Sequence, residues 1–233
     1  TWFTDMKIDG KDVYPKLHDK LKESGFDKKE PISKQLYDIY GLYPAPGDRH
    51  VGEFFPYYMK EEVLMEQDYE WKNNDFKVVD GWREEARVLF DEVRTKKEGY
   101  EEFLKGSGET ATYFIRSLAT GDISDEMVNV INNGYIDNVS SGIIVELPTY
   151  IDEFGLHPQK IGKLPDAIAA QCDRLGREYL LMVEAAATCN YELARQAMFL
   201  DPLVSNCKYP ELLLKDLIRA NLDLLPEAWE KHC

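Results

Sequence analysis

The last third of the chain is its strongest constraint. Pro165 is followed by DAIAAQCDRLGREYLLMVEAAAT, a long run without proline in which Ile168, Leu175, Met182 and Val183 recur at helical spacing. A proline just before such a run fits a helix start, so the pattern predicts a long helix from about residue 166. Asn190 to Leu200 and Pro210 to Leu225 read as shorter helices, parted by Asp201-Pro202. Any sheet must therefore be built from residues further upstream.

Those residues alternate between short elements and turn signals. Thr1 to Tyr14 reads as a short strand with a turn at Asp9-Gly10, and Pro15 to Glu23 as a short helix. Ile32, Leu36 and Ile39 predict a helix over Ser33–Tyr40, ended by the Pro/Gly cluster of Pro44 to Gly47. Tyr57 to Lys105 is highly charged; Val88, Leu89, Val93 and Tyr100 form a thin apolar stripe, as in a solvated helix. Gly106-Ser107-Gly108 reads as a break before a helix over Glu109–Leu118, with Glu109 and Thr110 as its start signal. Glu126–Ile131 fits helix or strand. Asn133-Gly134 predicts a hairpin turn, IIVELP a strand stopped by Pro148, and Phe154-Gly155 a further turn. The sequence shows no repeat, low-complexity segment or linker. The expected class is α+β with helices dominant, as one mixed domain over residues 1–233.

The formal net charge of −15 disfavours a nucleic-acid partner, which calls for a basic face. No apolar run reaches membrane-spanning length and no signal peptide is evident, so a cytoplasmic location and no membrane partner are expected. Cys172, Cys189, Cys207 and Cys233 are widely spaced, which suits reduced thiols better than a zinc site. The chain has no G-x-G-x-x-G, P-loop, H-E-x-x-H or G-x-S-x-G motif.

One segment, YGLYPAPGDRHVGEFFPYY from Tyr40 to Tyr58, sets an acid, a guanidinium and an imidazole side by side. It reads either as a surface turn before a buried edge or as an active-site loop. Asp48 suits a general base or a turn cap. Arg49 and His50 suit the grip of a substrate carboxylate, or a surface ion pair and a packed histidine. Phe54, Phe55, Tyr57 and Tyr58 suit core packing better than a sugar-facing wall, and Glu53 could pair with Arg49. His18 is expected to be exposed, and His157 to be structural.

Three blocks carry a resemblance: TWFTDMKIDGKDVYPKL, the Tyr40–Tyr58 segment, and NNGYIDNVSSGIIVELPTYIDEFGLHPQKIGKLP, followed by MVEAAATCNYELARQAMFLDPL. Their order resembles glycoside hydrolase family 4, and most nearly its alpha-galacturonidase and alpha-glucuronidase branch. The resemblance implies the helix-rich C-terminal domain of a lactate-dehydrogenase-like glycosidase. An N-terminal Rossmann half would then lie upstream and carry the main NAD and Mn2+ ligands, so none is assigned to this chain. It implies hydrolysis of an alpha-uronide by oxidation at C3, proton abstraction at C2 and elimination, a route outside the usual two-carboxylate scheme. Asp48 becomes the candidate base, with Arg49, His50 and Asn133 as candidate substrate contacts. A homo-oligomer is implied as well. Two other readings stand beside this one. An NAD-dependent 2-hydroxy-acid dehydrogenase would need a catalytic histidine and a substrate arginine at a different spacing. A non-catalytic sugar-binding or oligomerisation module would also lack a nucleotide fingerprint.

Overall fold

A computed structural model describes residues 1–22, 30–58, 76–96, 101 and 110–233. In chain order these form β1 (Trp2–Phe3), β2 (Lys7–Ile8), β3 (Lys11–Asp12), α1 (Tyr14–Lys22), α2 (Pro31–Tyr40), β4 (Tyr43–Pro44) and α3 (Asp48–Glu53). Then follow α4 (Phe76–Lys96), α5 (Ala111–Thr120), β5 (Ser124–Ile131), β6 (Ile144–Asp152), β7 (Gly155–Pro158), α6 (Asp166–Thr188), α7 (Tyr191–Leu200) and α8 (Pro210–Ala220). The helix-dominated α+β class expected from the sequence is what is observed. The break expected at Gly106-Ser107-Gly108 and the Glu109 start signal lie outside the described residues.

The chain divides into two compact units. The first comprises residues 1–63, 127–147 and 158–233; the second comprises 64–126 and 148–157. The strands β5, β6 and β7 pair in that order, and the division runs across them.

The core of the first unit is Ile136, Val139, Ile143, Val145, Leu147, Leu164, Ile168 and Ala169. It forms because α6 lies very close to the segment entering β6. A Cβ on Gly176 would stand 2.5 Å from Ile143 Cδ1 and 2.8 Å from Ile143 Cβ. Only a residue without a side chain fits, so glycine sits in mid-helix despite its cost of about 1 kcal/mol against alanine. The buried face of α6 is accordingly Ile168, Ala169, Gly176, Glu178 and Ala185. Met182 and Val183, expected on the apolar stripe, are 51% and 66% exposed. Small residues make the close contact here, so side-chain size misplaces the face when the sequence is read alone.

The Asn133-Gly134 signal does not make a two-residue hairpin. β5 and β6 are joined by a twelve-residue connection, 132–143, built around the fully buried Asn132. Its amide donates to the carbonyls of Ile136 (3.1 Å), Val139 (2.8 Å) and Ser140 (3.2 Å), and its oxygen accepts from Ile136 N–H (3.0 Å). Asn138 fastens the same connection to the approach to α6, donating to Leu164 O (2.8 Å) and accepting from Leu164 N–H (2.9 Å). Asp173 on α6 completes the attachment by accepting from Ser140 N–H at 2.7 Å.

Pro148 does not stop the strand, because β6 runs through it to Asp152. β7 has four residues against nine in β6, so the two strands cannot pair along the whole of β6. Likewise α2 ends before the Pro/Gly cluster, at Gly41, whose φ of 74° lets its N–H reach Tyr37 O. A second apolar cluster, Leu214, Ile218 and Trp229, seats α8 against the residues that follow it.

In the second unit α4 is exposed along nearly all of its described length. Arg87 bridges Glu84 (2.6 Å) and Asp91 (3.2 Å) along the surface, as expected of a solvated helix. α5 begins at Ala111, and Thr110 makes no side-chain cap. Ser117, buried, joins α5 to the start of β5 by a 2.7 Å bond to Ser124 Oγ.

Two outcomes follow. Gly176→Ala, set against Ile143, is expected to destabilise the chain by about 1–3 kcal/mol in urea unfolding, and a variant as stable as wild type would refute the close contact. Asn132→Ala strands several buried carbonyls and should cost about 1–3 kcal/mol or more by the same measurement; an unchanged midpoint would refute its organising role.

Candidate functional site

The site expected around Asp48 is built where the chain's first residues meet the Tyr40–Tyr58 segment. β1 pairs antiparallel with β4, Trp2 opposite Pro44 and Phe3 opposite Tyr43. Tyr14 ties the pair together: its hydroxyl donates to Phe3 O and accepts from Tyr43 N–H at 3.2 Å. Below lies an aromatic cluster of Trp2, Tyr40, Phe55, Tyr57 and Tyr58, with Trp2 5.3 Å from Tyr40 and 6.3 Å from Phe55 between ring centres. Phe55 and Tyr58 are buried, and Tyr58 donates to Gln35 Oε1 at 2.6 Å. These aromatics are core, as the composition of the segment suggested, while Tyr57 remains half exposed.

Asp48 opens the short helix α3 rather than a loop. Its carboxylate reaches back to the start of α2: Oδ2 accepts from Ile32 N–H at 2.8 Å and Oδ1 from Ser33 N–H at 2.7 Å. Pro31, at the first turn of α2, has no N–H to offer, so Ile32 and Ser33 carry the next free donors of the helix. The favour is returned by Glu30, which precedes Pro31 and accepts from Asp48 N–H at 3.0 Å through Oε2. Each helix start is thus capped by an acid from the other. Burial raises the Glu30 carboxyl above the ordinary glutamate value, and contact with Asp48 adds to the rise against an opposing main-chain bond. Tyr43 is pushed up to about 12 by burial first and then by Glu30.

His50 stands on the outer side of α3, its side chain 66% exposed, with Nδ1 3.6 Å from Glu53 Oε2. The acid expected to pair with Arg49 therefore lies beside His50, and the Arg49 side chain falls outside the described residues. Asn133 is exposed, and the bonds that shape its connection are made by Asn132. Asp48, Arg49 and His50 share one helical turn, whereas Asn133 stands on a separate, rigid connection. Glu30 was not singled out in the sequence; the signal available was the Glu-Pro pair at the head of a helix. His18 is exposed, 3.3 Å from the Tyr37 hydroxyl, and His157 pairs with Asp152 at 2.9 Å, a structural arrangement.

Behind α3 a cavity of about 80 Å³ is lined by Trp2, Pro44, Val51, Phe55, Cys172 and Leu175, among others. It is open on one side and smaller than the roughly 300–1,000 Å³ of ligand pockets. Burial pushes the Cys172 thiol up, which disfavours its thiolate form. Arg174, two residues along α6 from Cys172, clasps helix ends by donating to Leu200 O (2.8 Å) and Phe54 O (3.4 Å).

Residues 1–204 match the family model described as "Family 4 glycosyl hydrolase C-terminal domain". The chain belongs to glycosyl hydrolase family 4, in its C-terminal domain. An alpha-galactosidase of Bacillus subtilis (strain 168) is 29% identical over 97% of this chain and 53% of its own length. An alpha-galacturonidase of Thermoanaerobacterium saccharolyticum is 30% identical over 99% of this chain and 53% of its own length. A 6-phospho-alpha-glucosidase from gut microorganisms, solved with NAD and glucose-6-phosphate, superimposes with a TM-score of 0.78 at 25% identity, covering 97% of this chain and 52% of that one. The Thermotoga maritima 6-phospho-beta glucosidase, solved with manganese, NAD+ and glucose-6-phosphate, gives 0.72 at 23% over 96% and 52%, a likeness of fold. The chain spans about half the length of the curated relatives it matches.

Among the described residues no three His, Cys, Asp or Glu side chains gather where they could hold a metal ion. The described residues of this chain therefore do not by themselves gather a ligand set for Mn2+. Among the described residues, no helix is long and apolar enough to cross a membrane.

Near the Arg174 clasp, Glu178 is 3% exposed and its Oε2 lacks a hydrogen-bond partner. Burial, and next the Asp201 carboxylate, raise it to about 7, against an opposing pull from Arg174. A raised carboxyl binds its proton more tightly folded than unfolded, so its contribution favours folding at low pH. That contribution falls as pH climbs from the ordinary glutamate value through about 7. Glu178→Gln should flatten the stability-versus-pH curve across this window in chemical unfolding; an unchanged slope would contradict the assignment.

Proposed function

We propose that this chain is the substrate-side part of an alpha-glycosidase that hydrolyses alpha-uronides, an alpha-galacturonidase-like activity. In this reading it works in the cytoplasm with a nucleotide-binding half that supplies NAD and Mn2+, as a homo-oligomer. The observation that supports the substrate class best is the 30% identity to an alpha-galacturonidase along 99% of the chain. The chemistry of the α3 turn agrees with it. Asp48 serves as the base that takes the sugar proton. Each of its oxygens accepts one main-chain N–H and keeps a second lone pair for a proton. Arg49 and His50, next along the turn, hold the uronide carboxylate, with Asn133 as a further contact. A guanidinium grips a carboxylate through two parallel bonds, which an uncharged hydroxymethyl group cannot match.

A second reading, cleavage of neutral alpha-galactosides, is favoured by the 29% identity to the Bacillus subtilis alpha-galactosidase. The two separate on paired substrates. In the enzyme assembled with its nucleotide-binding half, Arg49→Ala should lower kcat/KM on 4-nitrophenyl alpha-galacturonide about tenfold or more and leave the alpha-galactoside rate near unchanged. Equal loss on both rejects carboxylate recognition. Asp48→Asn should lower kcat by about 10²–10⁴-fold while NAD still binds. It should also cost about 1 kcal/mol of stability through the lost cap, so turnover is counted per folded molecule. Near-normal turnover removes Asp48 from the base role.

A further inference from the structure

We infer that Glu30 is the positioning residue for Asp48, an inference that rests on the reading of Asp48 as the base. Glu30 occupies the position before the first turn of α2, yet its side chain makes no cap to its own helix. It turns instead to Asp48 N–H at 3.0 Å, with the Ser33 hydroxyl 3.5 Å from the same oxygen.

The result is a three-point fixture. The Asp48 main chain is held by Glu30, and its two carboxylate oxygens are held by Ile32 and Ser33. One bond to a carboxylate leaves it free to swing about its Cα–Cβ bond. Two bonds to neighbouring amides fix the plane of the group, and the bond at the amide nitrogen fixes the backbone that carries it. A base held in this way spends no time searching for its orientation, and a displacement of about 1 Å can cost 10²-fold in rate. Gly47, just before Asp48, makes no side-chain contribution, so the fixture depends on Glu30 from the N-terminal side. Glu30 touches neither sugar nor cofactor in this scheme; it acts through Asp48 alone.

The acceptor that matters is a single oxygen, and glutamine keeps one. Hydrogen exchange on this chain should therefore show Glu30→Ala speeding exchange at the amides of Asp48, Ile32 and Ser33 together, while Glu30→Gln leaves all three near wild type. In the assembled enzyme, Glu30→Ala should lower kcat about 10- to 100-fold per folded molecule with KM within about twofold, and Glu30→Gln should stay within about threefold of wild type. Faster exchange at Asp48 alone overturns the fixture. So does a Glu30→Gln variant as impaired as Glu30→Ala, or a kcat that falls only with the folded fraction. The parent reading is decided separately: if Asp48→Asn keeps its turnover, the base assignment fails whatever the Glu30 variants do.

Discussion

The contact between Gly176 and Ile143 is the constraint on which the first unit depends. It sets how near α6 comes to the start of β6, and the rest of the core fills the space so defined. Ile168 and Ala169 of α6 and Val145 and Leu147 of β6 are buried in the same cluster. The connection 132–143 has to fold in the room that is left. It does so by replacing ordinary strand pairing with the bonds of Asn132 and Asn138, two side chains that behave like stretches of backbone. A dry core at one end and a densely bonded polar connection at the other are two consequences of one close approach.

The exchange of acids between α2 and α3 works on different physics. A helix start offers unpaired N–H groups and a positive end of its dipole, and an anion there is favoured by both. Glu30 and Asp48 each answer the other's helix, so a short element such as α3, too short to be stable alone, borrows its first turn from a neighbour. The same arrangement buries Glu30 and crowds two carboxylates, and burial first, then the neighbouring Asp48, makes Glu30 hold its proton more strongly than a free glutamate. The starts of two helices therefore draw on the same pair of side chains in this family 4 domain.

Much of this was legible in the sequence, and the failures have physical causes. The start of α6 after Pro165 and a shorter helix ending at Leu200 follow from local chemistry, and both hold. The turn at Asp9-Gly10 holds too, with both residues at positive φ. The buried face of α6 was misread because periodicity weighs large apolar residues, whereas the contact there is made by glycine and alanine. The Asn133-Gly134 pair drew attention away from Asn132, since turn propensity is visible in a dipeptide and burial is not. Pro148 looked like a stop because its missing N–H matters only when a neighbour needs it. Asp48 suits a base or the cap of its own turn when read locally, but not the cap of α2, because the donors it satisfies lie 15 and 16 residues away and Glu30 lies 18 away. No local window connects them.

The antiparallel pair of β1 with β4 carries a practical consequence. Pro44 lies four positions before Asp48, and its partner Trp2 is the second residue of the chain. A displacement of the backbone at Trp2 is therefore delivered almost directly to the acid-bearing turn. The cluster of Leu214, Ile218 and Trp229 packs α8 against the residues that follow it. Strain introduced there loads a different set of side chains, whereas strain in β1 reaches the acid-bearing turn through a single pair of strands.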